Sequence, residues 1–386
     1  MTLASRLHAL GAVWGLSGGV ATPRRFTSIE AEMAAIRGSI GLSALPHVAC
    51  LRVEGDGAYD ALDRVCPAPM HVRNGTMRHT LLLDEDGIPL VDLYLCNDDD
   101  AYLLLAEGLP SVTLIAYLEE RFAALAPDAA ASVSIRDLGE THALLSLDGP
   151  FAWELLAALE GPELVGFPYL SFYHPSPERT YLRAGKTGEF GYHLLVPHAE
   201  AGPLWDRLLD AGRPFEIAPV GFDAIDHAML ESWFFSNDHE GALGLSPIEL
   251  GLQWRLAADK DFVGSEALRA RRAAGVTERI AAITSDGPIA AGDPLLSGDE
   301  PIGTVLRAAR SVTRGDHVAI GLLDVDHAHS GIDSYTALHA GAVVPVRTVS
   351  APFVNNRSLA VNPQRHAFAR RAEIAFPPLR PAPRGR

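Results

Sequence analysis

Apolar positions recur at helical spacing over residues 30–38, 56–65, 110–126, 150–160, 200–212, 221–233 and 265–274, and each stretch predicts an amphipathic helix. In the third of these, Leu114, Tyr117, Leu118, Phe122 and Leu125 form one stripe. Alternating or short continuous apolar runs predict strands near 48–54, 78–84, 89–95, 101–106, 131–147, 179–196, 279–286, 302–309 and 317–349. Helices and strands mix without regular βα alternation, so the pattern predicts an α+β fold rather than a doubly wound sheet. Beyond Gly275 the pattern is almost entirely β, which places a domain boundary there.

A chain of 386 residues implies two or three packed domains. Its 48 acidic against 32 basic residues, a net charge of −16, repel polyphosphate, so nucleic acid is not an expected partner. No G-x-G-x-x-G or P-loop is present to hold a nucleotide phosphate. Cys50, Cys66 and Cys96 lack zinc-type or C-x-x-C spacing and read as buried thiols of a reducing compartment. No run approaches a membrane span and no charged leader opens the chain, so a soluble, unprocessed, cytoplasmic protein without membrane partners is expected. From Asn362 to Arg386 the chain holds six arginines, one glutamate and Pro377, Pro378, Pro381 and Pro383. This composition predicts a short solvated extension, or alternatively a basic arm for an acidic partner; no protein partner can be named.

The densest local signal is Arg183-Ala184-Gly185-Lys186-Thr187-Gly188-Glu189-Phe190-Gly191-Tyr192-His193-Leu194-Leu195-Val196-Pro197. It is a glycine-punctuated turn entering a strand with Tyr192, Leu194 and Val196 on one face. The three glycines suggest positive φ and close approach of the backbone to a flat ligand. This segment resembles the signature of the glycine-cleavage T-protein (aminomethyltransferase) family. Further matches follow in the family's order, among them Gly41 to His47, Val53-Glu54-Gly55-Asp56-Gly57-Ala58, Leu147-Asp148-Gly149-Pro150, Ser246 to Trp254, Asp261 to Leu268 and Pro301 to Val305. Together they span roughly residues 5–357.

The resemblance implies a T-protein-like three-lobed disc. Residues 1–49 plus 137–275 would form a discontinuous first domain, 50–136 a ferredoxin-like domain, 276–361 a C-terminal β-barrel, and 362–386 the tail. It also implies one-carbon transfer on tetrahydrofolate held in the central hole. Asp92, in Val91-Asp92-Leu93-Tyr94, falls on the family's aspartate beside the reactive pterin nitrogens and is the expected catalytic residue, with burial expected to raise its pKa. The hairpin residues Lys186, Glu189 and His193, with His79 and Ile225, are the expected cofactor contacts, and His47, Arg78 and His239 the expected substrate contacts. Several depart from the family: Lys186 replaces a tyrosine, His193 a pterin-gripping glutamate, Ile225 an arginine and His79 a tyrosine. Methyl-transferring relatives that demethylate sulfonium, amine or aryl methyl ether compounds reuse the disc with altered contacts. The favoured reading is therefore a tetrahydrofolate-dependent demethylase or specialised one-carbon transferase acting on a small-molecule donor or acceptor. The alternative is a T-protein-like protein for a non-folate ligand, either a folate-independent enzyme or a non-catalytic binding protein. Asp238, His239 and Glu240 lack a second spaced ligand group, so no metal is expected.

Overall fold

In the computed structural model, which describes residues 2–380, two antiparallel-dominated sheets face one another and a closed barrel packs beside them. The first sheet runs in the order Phe172–Ser176, Arg179–Leu182, Gly191–Pro197, His142–Asp148, Gly41–Ala44, Ala218–Pro219. Alternation along these strands gives Leu42, Leu145, Leu147, Tyr192, Leu194 and Val196 to an outer face, buried under helices Ala152–Glu160 and His198–Gly212. The second sheet, Met77–Leu83, Pro89–Asp98, Ala101–Glu107, Ala49–Glu54, Ser134–Asp137, is the ferredoxin-like lobe. Its outer face carries Leu82, Val91, Leu93, Leu95 and Leu104 and is covered by helices Ala58–Val65 and Ser111–Leu125.

The inner faces share one apolar cluster, in which Met77, Tyr94, Cys96, Leu103 and Leu105 meet Leu144, Leu182 and Leu195. Helices Ile29–Gly38 and Phe222–Ser232 close its side through Met33, Ile36, Ala224, Ile225 and Ala228. Ser28 starts the first of these helices as its N-cap, accepting from the Ala31 N–H at 3.2 Å. Strands between Glu278 and Val349 close the six-stranded barrel.

The run 131–147 proves to be two strands in different sheets, Ser134–Asp137 and His142–Asp148, separated by the turn Leu138–Glu140. The run 317–349 resolves into three barrel strands. Leu125, at the end of its helix, is 46% exposed and falls outside the buried stripe of Leu114, Leu118 and Phe122. Nor is the tail a solvated extension up to residue 380. Phe368 is buried in the first sheet's core, donates its N–H to Glu154, and is capped by the Arg371 guanidinium 3.8 Å from its ring centroid. Apolar Val361, Phe368, Ile374 and Phe376 anchor a segment whose charge alone suggested solvation. Pro381, Pro383, Arg384 and Arg386 lie outside the described residues.

Candidate active site between the sheets

Strand register sets out the second sheet's half of the site. Leu81, Asp92 and Glu107 form one cross-strand row, and His79, Tyr94 and Leu105 the next, all on the inner face. His79 stacks on Tyr94 with ring centroids 4.4 Å apart and reaches diagonally so that Nε2 lies 2.7 Å from Asp92 Oδ1. Directly opposed carboxylates on one sheet face repel each other. Lys186 resolves the repulsion between Asp92 and Glu107, with Nζ 2.7 Å from Asp92 Oδ2 and 2.9 Å from Glu107 Oε1. Arg255 donates from Nη1 to Asp92 Oδ1 at 2.8 Å.

These neighbours overturn the expected rise in the Asp92 pKa. Burial opposes its ionisation, but His79, Lys186 and Arg255 together outweigh burial and hold the carboxyl well below the usual range. Burial likewise opposes the Lys186 charge, and Asp92 and Glu107 overcome it, keeping the ammonium more firmly protonated than in water. His79 moves the other way: burial pushes it down and favours the neutral ring.

The glycines of the signature hairpin deliver Lys186 differently from the sequence expectation. Only Gly188 has a left-handed φ, +80°. Gly185 and Gly191 instead let two chain segments touch, since a Cβ on Gly191 would lie 2.4 Å from the Ala184 carbonyl oxygen and 2.9 Å from Gly185 Cα. The turn is then pinned from below, because Thr187 Oγ1 donates to Asp148 Oδ1 at 3.0 Å, and Asp148 also accepts from Ser146 Oγ at 2.6 Å.

The first sheet contributes a polar row across its inner face. Ser43, Ser146 and His193 are register partners on three adjacent strands. Ser43 Oγ, His193 Nδ1 and both ring nitrogens of His47 are buried without a hydrogen-bond partner. His47 packs on Phe222 at 4.3 Å, and His193 meets the edge of Tyr94 at 6.2 Å. Burial, followed by the nearby Lys186 charge, pushes both imidazoles down to about 3, so they are neutral. They offer ring nitrogens as donors or acceptors and carry no charge.

Other expected contacts are placed elsewhere. Glu189 does not face this space: its carboxylate accepts from Ser358 Oγ and N–H at 2.7 and 2.8 Å, from the Arg357 N–H at 3.1 Å and from Arg37 at 3.3 Å. Arg37 also donates to the Thr187 carbonyl at 2.6 Å, Glu231 at 3.0 Å and Asn356 at 3.0 Å. This buried clasp ties helix Ile29–Gly38 to the hairpin and to the segment after the barrel. Arg78 follows strand alternation onto the face opposite His79. Ile225 is part of the inter-sheet core, and His239 pairs with Asp226 at 3.0 Å near the surface. Sequence reasoning missed Glu107, Arg255 and Arg37. A register argument finds Glu107, one strand across from Asp92. Arg255 directly follows the matched Trp254, and its buried charge has no local sequence signature.

Beside the Asp92 cluster opens a cavity of about 210 Å³, bounded by His79, Arg255, Glu240 and the aromatic side chains Tyr169, Trp233, Phe234 and Trp254. Tyr169 and Trp254 stand at its rim, 53% and 67% exposed.

Two facing sheets with a closed barrel beside them and a glycine hairpin between strands Arg179–Leu182 and Gly191–Pro197 define the class. The family profile "GCVT N-terminal domain" matches residues 3–260 and "Glycine cleavage T-protein C-terminal barrel domain" matches residues 279–355. The chain belongs to the glycine cleavage T-protein family, a family of one-carbon group transferases. Among curated relatives, the aminomethyltransferase of Saccharopolyspora erythraea is 31% identical over 359 residues, covering 90% of this chain and 95% of that protein. The aminomethyltransferase of Streptomyces avermitilis is 31% identical over 370 residues, covering 91% and 96%. The crystal structure of glycine cleavage system aminomethyltransferase T from Bartonella henselae superposes with a TM-score of 0.80 at 24% identity, over 92% of this chain and 98% of that one, and shares the fold. Among the described residues no helix is long and apolar enough to cross a membrane.

Proposed function

We propose that this protein transfers a one-carbon unit, a methyl or related group, between a small-molecule donor and tetrahydrofolate, as a demethylase or specialised transferase rather than in glycine cleavage. The observation that carries the reading is Lys186, an ammonium fixed by two carboxylates beside four unpartnered buried polar atoms of Ser43, His47 and His193. Unpartnered buried polar atoms are costly unless a ligand completes them. Neutral imidazole nitrogens can pair with the mixed donor and acceptor edge of a pterin, so these residues fit the ring of a folate, with imidazoles where the family uses a carboxylate. Bound tetrahydrofolate supplies the nucleophilic nitrogen that receives the carbon.

Asp92, held ionised, orients Lys186 and Arg255 rather than donating a proton. Lys186 has three N–H donors and two face carboxylates, leaving one for the heteroatom that departs from the carbon. A lysine kept so firmly protonated is a weak acid but a fixed hydrogen-bond donor, so alignment rather than a covalent intermediate lowers the barrier. Free, buried Cys50, Cys66 and Cys96 support work in the reducing cytoplasm.

Calorimetric titration with tetrahydrofolate, for the wild type and Asp92→Asn, tests the reading. Saturable binding that the variant weakens is expected, with methyl transfer lowered by about 10²-fold. Absence of binding sinks the folate reading and favours a non-folate ligand, an alternative supported by Ile225 lying in the core and by the full engagement of Asp92.

A further inference from the structure

Of the three histidines at the inter-sheet space, His47, His79 and His193, only His79 is paired with a carboxylate. Its Nε2 lies 2.7 Å from Asp92 Oδ1, and that contact decides which nitrogen carries the hydrogen. Asp92 is held ionised by His79, Lys186 and Arg255, so its oxygens only accept. Burial, with the nearby charges of Arg255 and Lys186, keeps the ring neutral against the pull of Asp92. A neutral imidazole has one N–H, which here must sit on Nε2, and Nδ1 is left as a bare lone pair. Nδ1 has no hydrogen-bond partner, yet it is not sealed in as both ring nitrogens of His47 are. His79 forms part of the wall of the cavity of about 210 Å³, and its ring is held in place by the stack on Tyr94 at 4.4 Å.

A carboxylate that orients an imidazole and steadies the charge it gains is the arrangement in which histidine works as a base. The neighbouring groups cannot take that part: Lys186 is already protonated, and the Asp92 oxygens are engaged by His79, Arg255 and Lys186. We propose that His79, oriented by Asp92, is the general base of the transfer, its bare Nδ1 taking the proton that the accepting nitrogen of tetrahydrofolate gives up as the carbon arrives. The inference rests on the proposed function. The carbon–heteroatom bond breaks with its electron pair on the heteroatom, the lone pair of the accepting nitrogen forms the new carbon–nitrogen bond, and the proton of that nitrogen passes to Nδ1. From there it goes to a heteroatom that departs as an anion, or to water where the heteroatom departs neutral. His79 stands where the family carries a tyrosine, so the base belongs to this chain's own residues.

The test is nuclear magnetic resonance of the full-length protein with ¹⁵N-labelled histidine at pH 7, alone and saturated with tetrahydrofolate or with 5-methyltetrahydrofolate. The His79 signal is assigned by its loss in His79→Gln or, should that variant not fold, by its proximity to the Tyr94 ring. Expected are the Nε2–H tautomer in the free protein and an upfield shift of the Nδ1 resonance with tetrahydrofolate, which brings an N–H to it. No such shift is expected with 5-methyltetrahydrofolate, in which a methyl group replaces that hydrogen; a histidine with a merely structural role responds alike to both. An Nδ1–H tautomer or an imidazolium at pH 7 overturns the proposal. Saturable tetrahydrofolate binding with Nδ1 unmoved, or moved equally by both folates, overturns the base and leaves the folate reading standing. Absence of tetrahydrofolate binding overturns that reading and the base with it.

Discussion

Replacing Lys186 with methionine keeps a long, flexible side chain in place and deletes the charge between two opposed carboxylates. At separations of 2.7 and 2.9 Å, each pairing is worth roughly 6 kcal/mol of Coulomb attraction at an effective dielectric near 20. Most of that offsets the burial of the ammonium in the native protein, so the intact bridge contributes little net stability. Deletion differs, because it leaves the carboxylates unbridged, and the expected loss is ~3–5 kcal/mol. Equilibrium urea unfolding followed by tryptophan fluorescence at pH 7 measures it. The sign of the pH dependence follows from the shifts. Lys186, raised in the fold, contributes in full below its unfolded value of 10.5 and loses that contribution as pH rises through its higher folded value. Asp92, depressed, contributes above its unfolded value of 3.8 and loses that contribution as pH falls through its lower folded value. The gap between wild type and Lys186→Met is therefore flat from mildly acidic to mildly alkaline pH and narrows only toward the extremes. Adding Glu107→Gln to Lys186→Met removes the opposed pair and should recover ~1–3 kcal/mol as a coupling energy. A single-variant loss under ~0.5 kcal/mol, within the range of surface substitutions, or no recovery in the double variant, refutes the reasoning.

Glu189→Ala should destabilise the fold by ~3–5 kcal/mol, because it strips buried Arg37 of a carboxylate and opens the contact with Arg357 and Ser358; a thermal melt equal to wild type contradicts the clasp. Asp148 is buried without a cation hydrogen-bonded to it, and burial, only partly offset by Ser146 and Thr187, pushes its carboxyl up to about 6. A raised acid binds its proton more tightly when folded, so its protonated form adds stability that is lost as pH rises from about 4 to about 6, roughly 3 kcal/mol in all. Asp148→Asn keeps an acceptor for Thr187 and should flatten that slope; an unchanged pH profile of unfolding counts against it.

Much of the fold could be read from periodicity because its elements are locally consistent: the seven expected helices all form, and most strand runs lie within a residue or two of their observed limits. The failures have physical causes. Phe172–Ser176 contains histidine and proline and is held by partners, not by its own pattern. The 131–147 run conceals a crossing between sheets because its first half, Ser134–Asp137, has Ile135 as its one apolar residue and is placed by pairing with Ala49–Glu54 rather than by its own pattern. At the site, residue type drew attention to Asp92, Lys186, His79, His193 and His47, and the fold brings them to one inter-sheet space. Their states were not legible, because the Asp92 shift is set jointly by His79, Lys186 and Arg255, which lie on separate segments, the last 163 positions away. Glu189 looked like a ligand contact because it sits in the hairpin, yet its carboxylate faces a segment 168 residues further on.

The Arg37 clasp also makes the chain's late residues part of the machinery at its centre. Asn356 and Ser358 lie beyond the barrel, yet through Arg37 and Glu189 they hold the carbonyl of Thr187, the neighbour of Lys186. A protease cut after the barrel would sever no central residue and still release the hairpin that aims the lysine. Formation of the space between the sheets is thereby coupled to residues 356–358, a segment that shares no strand with either sheet.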